Sequence, residues 1–440
     1  MNDRLNKRLL IITIVLFVLL FVQSLYHPIS LKSLRGVFNE VQKPELSYKT
    51  LVDGSYQRNF EEYQQYHFGF REWSIRLYNQ YLWTCYHKTY NGWILIGKDD
   101  WLYESDFVQD HYESMIYKWF NGDVEGKTME FNKKAENLYK LQEILKKYNT
   151  YVFVSIIPGK DVIYPENLPE NKWYYNPDGV HAYDLYKSRF DELGVNYVDF
   201  VEVFKNKKDK VDYPLFYQTG THWSNIASVH AFDSIMRYME SLSGLNIPNV
   251  EIGETYTGKV REPDDDLEQL FNLMYHIKKD SYYYADTKII DDSTAIKPKL
   301  ITIGDSYFWN ISYNYNLGGI FKEYPYWYYN TTVYFDPNHN STQDLNLLDE
   351  ICNADFIMLN YCTVQLYNLA NGFVDNALAL LYDDKTNAPM SDEIIDIERR
   401  IYSDPEWFRS VKENAYNNYI PIAKQVAIDA KYVLNQQKNN

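Results

Sequence analysis

The run Leu300-Ile301-Thr302-Ile303 ends in Gly304-Asp305-Ser306. An aliphatic, β-branched run of this kind is what a strand buried on both faces requires, as in a parallel sheet. A serine delivered to the C-terminal end of such a strand faces the crevice where open α/β sheets bind ligands. Its hydroxyl attacks an ester only if a base takes its proton. The turn after it offers backbone N–H groups that could hold an oxyanion. The best base lies upstream, at His222 in Thr219-Gly220-Thr221-His222-Trp223-Ser224. His67, His111, His181, His230 and His276 compete for that role. His230 falls mid-helix and reads as packing, and His181 follows Pro177-Asp178-Gly179 and reads as surface. Ser306 with His222 points to acyl-ester chemistry.

The surrounding pattern alternates between helix and strand. Phe131, Ala135, Leu138, Leu141, Ile144 and Leu145 mark one face of a helix. Tyr151 to Ile157 reads as a strand, about 181–193 as a helix, and Val195 to Phe200 as a strand. Ser224 can cap a helix running to about Leu242. After the strand into Gly304 come a helix near Leu345–Cys352 and the strand Phe356 to Leu359. This predicts an α/β fold in three layers around a mostly parallel sheet. Residues 250–296 are acidic, rich in Tyr and aperiodic, and read as an insertion. The tail after about 390 reads as helix broken at Asp404-Pro405, with Trp407, Val411, Ala415 and Ile420 packing on the body. Upstream, Arg71 to Tyr86 reads as a helix with Trp73, Leu77, Tyr81, Leu82 and Cys85 on its apolar face.

At 440 residues the chain exceeds one compact domain, so one main core with appended parts is expected. A net charge of −16 argues against a nucleic-acid partner, which wants a basic footprint. Three scattered cysteines, with no CxxC, give neither a zinc site nor a disulfide framework, and no metal or other cofactor is expected. A Cys352–Cys362 bridge stays open on spacing alone. Leu9 to Val22 is apolar except for Thr13 and follows Arg4, Lys7 and Arg8. No small-residue cleavage site follows, so an uncleaved signal anchor is expected, with the basic flank cytoplasmic. The sequon at Asn310 lies four residues after Ser306, where a glycan would obstruct the site.

Five motifs stand in a fixed order. They are Phe68-Gly69-Phe70-Arg71, then Gly97-Lys98-Asp99-Asp100-Trp101-Leu102-Tyr103, then Ile157-Pro158-Gly159-Lys160 with Tyr164-Pro165-Glu166-Asn167-Leu168-Pro169. Thr221-His222-Trp223 and Gly304-Asp305-Ser306-Tyr307 complete the series. The order resembles the AlgX/AlgJ-like alginate O-acetyltransferase family, SGNH hydrolase-like and related to DHHW proteins. The resemblance covers most of residues 60–370. It implies a three-layer SGNH-like (flavodoxin-like) fold. It also implies an extracytoplasmic enzyme that acetylates an exopolysaccharide beside a membrane-bound O-acyltransferase. The expected organisation is then a cytoplasmic 1–8, a transmembrane anchor 9–27, and a stalk with an N-terminal subdomain 28–127. The acetyltransferase domain follows at 128–385, and a helical tail at 386–440.

Carried over by residue, the resemblance makes Ser306 the nucleophile and His222 the base. The family's acid sits two residues before the histidine, and here that position is Gly220. This leaves a Ser–His dyad oriented by a backbone carbonyl, an acid recruited from elsewhere, or a non-catalytic glycan-binding relative. Asp305 reads as fixing the turn around Ser306. Asn360 and Tyr361, at the end of the strand Phe356–Leu359, are candidate oxyanion or supporting groups. Lys160, Trp223, Tyr307 and Tyr334 are candidate substrate contacts. A carbohydrate esterase would use the same residues with water as acceptor.

Overall fold

The computed structural model describes residues 2–36, 41–170, 179–277, 281–290, 292–381, 392–417 and 422–438. The chain divides into two compact units, one of residues 1–96 with 265–279, the other of residues 97–264 with 280–440. The segment expected as an insertion therefore contributes to both. The expected boundary at 385/386 and the residues Pro177-Asp178 lie outside the described residues.

The larger unit is built on a six-stranded sheet. Its strands are β1 (Tyr151–Ile157), β2 (Tyr197–Asp199), β3 (Leu300–Gly304), β4 (Tyr326–Tyr328), β5 (Thr332–Tyr334) and β6 (Phe356–Cys362). They lie side by side in the order β5-β4-β3-β6-β1-β2. All neighbours are parallel except the edge hairpin β4–β5. β6 pairs with β3 and β1 along its length and is buried at every position. Its aliphatic and aromatic side chains cannot alternate with polar ones, because both faces are covered. Asn360 aligns with Gly304 on one side and Ser155 on the other. The parallel strands therefore end together, and everything that follows β1, β3 and β6 gathers at one edge.

Helices cover the sheet where the sequence periodicity places them. Val124–Lys146 buries Phe131, Ala135, Leu138, Leu141 and Leu145, and the Asp123 carboxylate caps it by accepting from the Gly126 N–H. Asn225–Ser243 starts at Ser224, whose hydroxyl accepts from the Ala227 N–H, and ends at Gly244 with φ +72°. That φ favours glycine. The C-terminal helices Asp392–Ser403 and Pro405–Asn417 break where Asp404-Pro405 places them, and Val411 and Ala415 are buried. Ile420 lies outside the described residues. All three cysteines are free, so Cys352 and Cys362 are not bridged.

In the smaller unit, Asn2–Tyr26 is one helix, long and apolar enough to cross a membrane over Arg4–Tyr26. Arg71–Tyr86 is helical as expected, but its buried side chains are Arg76 and Asn79. The Arg76 guanidinium donates to the carbonyls of Lys32 and Ser33, and Asn79 donates to that of Phe271. Trp73, Leu77 and Tyr81 are exposed instead. Periodicity finds the helix, and hydrogen bonds to backbone carbonyls of other segments hold Arg76 and Asn79 on its inward face.

Leu359→Ala in the fully buried β6 is expected to lower unfolding free energy by about 2–5 kcal/mol. Urea denaturation of the larger unit's signal measures this, and an unchanged midpoint contradicts the central placement of β6.

Candidate active site

Ser306 follows β3 by two residues, and the backbone there is pinned to β6. Gly304 abuts the Asn360 carbonyl so closely that no Cβ fits. The Asp305 N–H donates to that carbonyl at 3.1 Å. The Asp305 carboxylate accepts from the Tyr307 N–H (3.1 Å) and the Cys362 N–H (2.6 Å). The Tyr326 hydroxyl donates to the Asp305 carbonyl. Burial pushes the Asp305 carboxyl above its ordinary range, against the pull of these N–H donors and of His222. Asp305 fixes the turn, and the Tyr307 N–H it occupies is not free for an oxyanion.

His222 arrives on the loop before Asn225–Ser243, and that loop is held by buried donors. The Lys160 ammonium, 2% exposed, donates to the carbonyls of Tyr217 (3.3 Å), Gln218 (3.2 Å) and Gly220 (2.5 Å). It also lies 4.8 Å from the Tyr103 ring centroid, where a cation is attracted to the π face. The Tyr307 hydroxyl donates to the Thr221 carbonyl (3.0 Å), and the Trp223 indole N–H to the Tyr307 carbonyl (3.0 Å). Asn310 Nδ2 donates to the Trp223 carbonyl (2.9 Å). The Tyr307 ring lies 4.8 Å from the His222 ring. His222 Nε2 then stands 2.8 Å from Ser306 Oγ, and both side chains are half-buried. A neutral imidazole at that distance can take the hydroxyl proton.

Gly220 has a packing reason. A Cβ there would stand 2.5 Å from the carbonyl oxygen of Asp264 and 3.0 Å from its carbon. Backbone fills the space a carboxylate at 220 would need. The Asp264 carboxylate accepts from the Asn225 N–H (2.9 Å) and Nδ2 (3.0 Å), so an acid reaches the His222 loop from a different segment.

Several expected substrate contacts turn out to be braces. Lys160, Trp223 and Tyr307 are buried and bonded to the loops as above. Tyr361 is buried and donates its hydroxyl to Asn371 Oδ1 (2.7 Å). Asn360 is buried with neither side-chain polar atom hydrogen-bonded. Tyr334 is exposed beside Trp309. Asn310 is wholly buried, so its sequon is closed to a glycan in this fold. His230 stacks on Tyr213, and His181 is half-buried in a cavity with Asp110 rather than on the open surface. The Asp264 clasp and the Lys160 tether escaped the sequence reading. Among the described residues, one group has metal-ligand spacing: Asp265, Glu268 and His276, in the smaller unit, within 4.8 Å of one another. There Glu268 Oε1 already accepts from the Ile277 N–H and contacts His276 Nδ1.

A strand-end serine paired with a histidine in a three-layer α/β unit is the arrangement of SGNH hydrolase-like domains. Residues 94–316, more than half of the chain, match the family model described as SGNH hydrolase-like domain, acetyltransferase AlgX, and the chain belongs to that family. It is 23% identical over 180 residues to a probable alginate O-acetylase AlgJ of Pseudomonas syringae pv. tomato. The match spans 40% of each chain, less than half the relative's length. Similar solved structures include the O-acetyltransferase domain of Pseudomonas putida AlgJ, with a TM-score of 0.43 and 13% identity, covering 64% of this chain and 99% of that one. Pseudomonas aeruginosa AlgX gives 0.38 and 16%, covering 64% and 67%. Bacillus cereus PatB1 gives 0.37 and 13%, covering 62% and 96%.

Gly220→Ala is expected to cost roughly 1–3 kcal/mol, because a methyl group meets backbone that cannot swing aside. Equilibrium unfolding in urea reads the loss, and full stability in the variant contradicts the packing described.

Proposed function

We propose that this chain is an O-acetyltransferase that modifies an extracellular polysaccharide through an acetyl ester on Ser306. The 2.8 Å approach of His222 Nε2 to Ser306 Oγ carries the reading. His222 takes the hydroxyl proton as Oγ attacks the acetyl carbonyl of the donor. The tetrahedral adduct collapses, and the leaving group departs with the proton from His222. A sugar hydroxyl then gives its proton to His222, attacks the acetyl-serine carbonyl and releases Ser306, which recovers the proton. The first half needs an activated acetyl donor, which fits a membrane-bound O-acyltransferase as partner.

No carboxylate occupies position 220, so another feature must keep His222 oriented. The Lys160 tether and the Asp264–Asn225 clasp fix its loop, and the buried Asp305 carboxylate lies close enough to attract an imidazolium. The unpartnered amide of Asn360, level with Gly304, is the proposed side-chain donor to the oxyanion. Tyr334 is kept as the exposed candidate for sugar contact. The N-terminal helix serves as a signal anchor that holds the catalytic unit outside the cytoplasm.

A second reading rests on Gly220: a glycan-binding relative without turnover. Full-length protein in detergent, given an activated acetyl ester and polysaccharide acceptors, separates the two. Acetylated glycan is expected, with Ser306→Ala abolishing transfer and His222→Ala lowering it about 10²–10⁴-fold. Free acetate alone makes the protein an esterase, and no turnover at all supports the binding relative. Lys160→Met is expected to lower kcat by roughly 10²-fold with KM little changed, since it displaces the base without touching substrate. Wild-type kcat in that variant contradicts the tether's role.

A further inference from the structure

The motif Phe68-Gly69-Phe70-Arg71 has no role in the Ser306–His222 site. It lies in the smaller unit, against the apolar helix Asn2–Tyr26. The Gly69 N–H donates to Ser24 Oγ at 2.7 Å, and Ser24 Oγ donates in turn to the Leu20 carbonyl at 2.9 Å. Glycine is required there, because a Cβ would strike the Leu20 carbonyl oxygen and stand 2.9 Å from the Ser24 nitrogen. Next to Ser24, Gln23 is 2% exposed. Its amide donates to the Ile29 carbonyl (2.8 Å) and accepts from the Ile29 N–H (3.2 Å). The end of the apolar helix is therefore built into the smaller unit by two separate segments.

These contacts fix a depth. Arg4–Tyr26, 23 residues, is long and apolar enough to cross a membrane. At about 1.5 Å per residue, Leu20 lies about 9 Å before the end of that span and Ser24 about 3 Å. A hydrocarbon core of about 30 Å takes up about 20 helical residues. When the helix spans a bilayer, Gly69 thus sits near the boundary between acyl chains and headgroups. The helix Arg71–Tyr86 begins two residues later.

That helix turns an uncharged face outward. Its charged residues are Arg71, Glu72 and Arg76. Arg76 is buried on the carbonyls of Lys32 and Ser33, and the other two are half-buried. Trp73, Leu77 and Tyr81 recur every fourth residue and form one stripe, 50%, 65% and 49% exposed, with exposed Tyr78 beside it. Phe70 enters the helix with a left-handed φ of +61°, and its ring lies 5.8 Å from that of Trp73. Single exposed apolar side chains are ordinary, but a helix face in water normally carries charge. A contiguous apolar face marks a surface that something covers. Trp and Tyr, each an apolar ring with one polar atom, are the residues that the membrane–water boundary favours.

We infer that the exposed face of Arg71–Tyr86 lies in the headgroup–acyl boundary of the bilayer, as a second membrane contact beside the spanning helix. Lipid is the occupant because the motif that starts this helix is docked on the span at that depth. The face carries no charge, so a neutral lipid suffices. This rests on the reading of Asn2–Tyr26 as a retained anchor, and the test reports on the two separately.

Full-length protein carrying Cys85→Ser receives one new cysteine, by Phe17→Cys, Leu77→Cys or Tyr81→Cys. A nitroxide is attached to it, and the protein is placed in phosphatidylcholine nanodiscs. All three positions are exposed, so the fold tolerates the label, and Cys352 and Cys362 are buried from it. Electron paramagnetic resonance compares collisions with oxygen, which concentrates in lipid, and with a water-soluble nickel chelate. The oxygen-to-nickel ratio at 77 and 81 is expected to lie about ten-fold above that of the same nitroxide free in water. The ratio at 17 reports on the anchor. A lipid-like ratio at 17 with water-like ratios at 77 and 81 overturns the inference and leaves the anchor standing. Water-like ratios at all three overturn both. Labels at 77 and 81 shielded from both reagents put protein on the face in place of lipid, and overturn the inference as well.

Discussion

A half-buried imidazole and a serine hydroxyl meet at 2.8 Å across 84 positions of sequence, and the rest of the site exists to hold that contact. Neither residue could keep the geometry alone. The serine is fixed because Asp305 spends its carboxylate on two backbone N–H groups, one in the turn and one in the neighbouring strand. The histidine is fixed because a buried ammonium gathers three carbonyls of its loop. Tyr307 joins the two halves, since its hydroxyl, carbonyl and ring all touch the histidine segment.

Buried charge is costly unless its partners are complete. Lys160 and Asp305 meet that condition with backbone groups, which cannot titrate or rotate away. Asp264 meets it with Asn225, at the start of the helix that carries the histidine loop into the core. The absence of a carboxylate at 220 is then a local trade. Backbone from the Asp264 segment occupies that space and braces the loop.

The parallel core was legible because its strands are unbroken apolar runs and its helices carry clean periodicity. Leu300–Ile303 and Phe356–Leu359 admit few other readings. The Ser306–His222 pairing was legible from motif order and strand-end placement. The braces were not, because a lysine or tryptophan that bonds backbone carbonyls has the same composition as one that faces solvent or sugar. Lys160 and Trp223 were assigned to substrate for that reason. The helix Arg71–Tyr86 shows the converse: its spacing is right, but carbonyls of distant segments hold Arg76 and Asn79 on its inward face. Gly220 marked a departure, and only the position of the Asp264 backbone explains it.

The most direct measurement is peptide mapping by mass spectrometry after brief exposure of the full-length protein to an activated acetyl ester. The account predicts one acetyl group on the peptide that contains Ser306, formed far more slowly when His222 is replaced. Acetylation elsewhere, or at Ser306 with no dependence on His222, would contradict it.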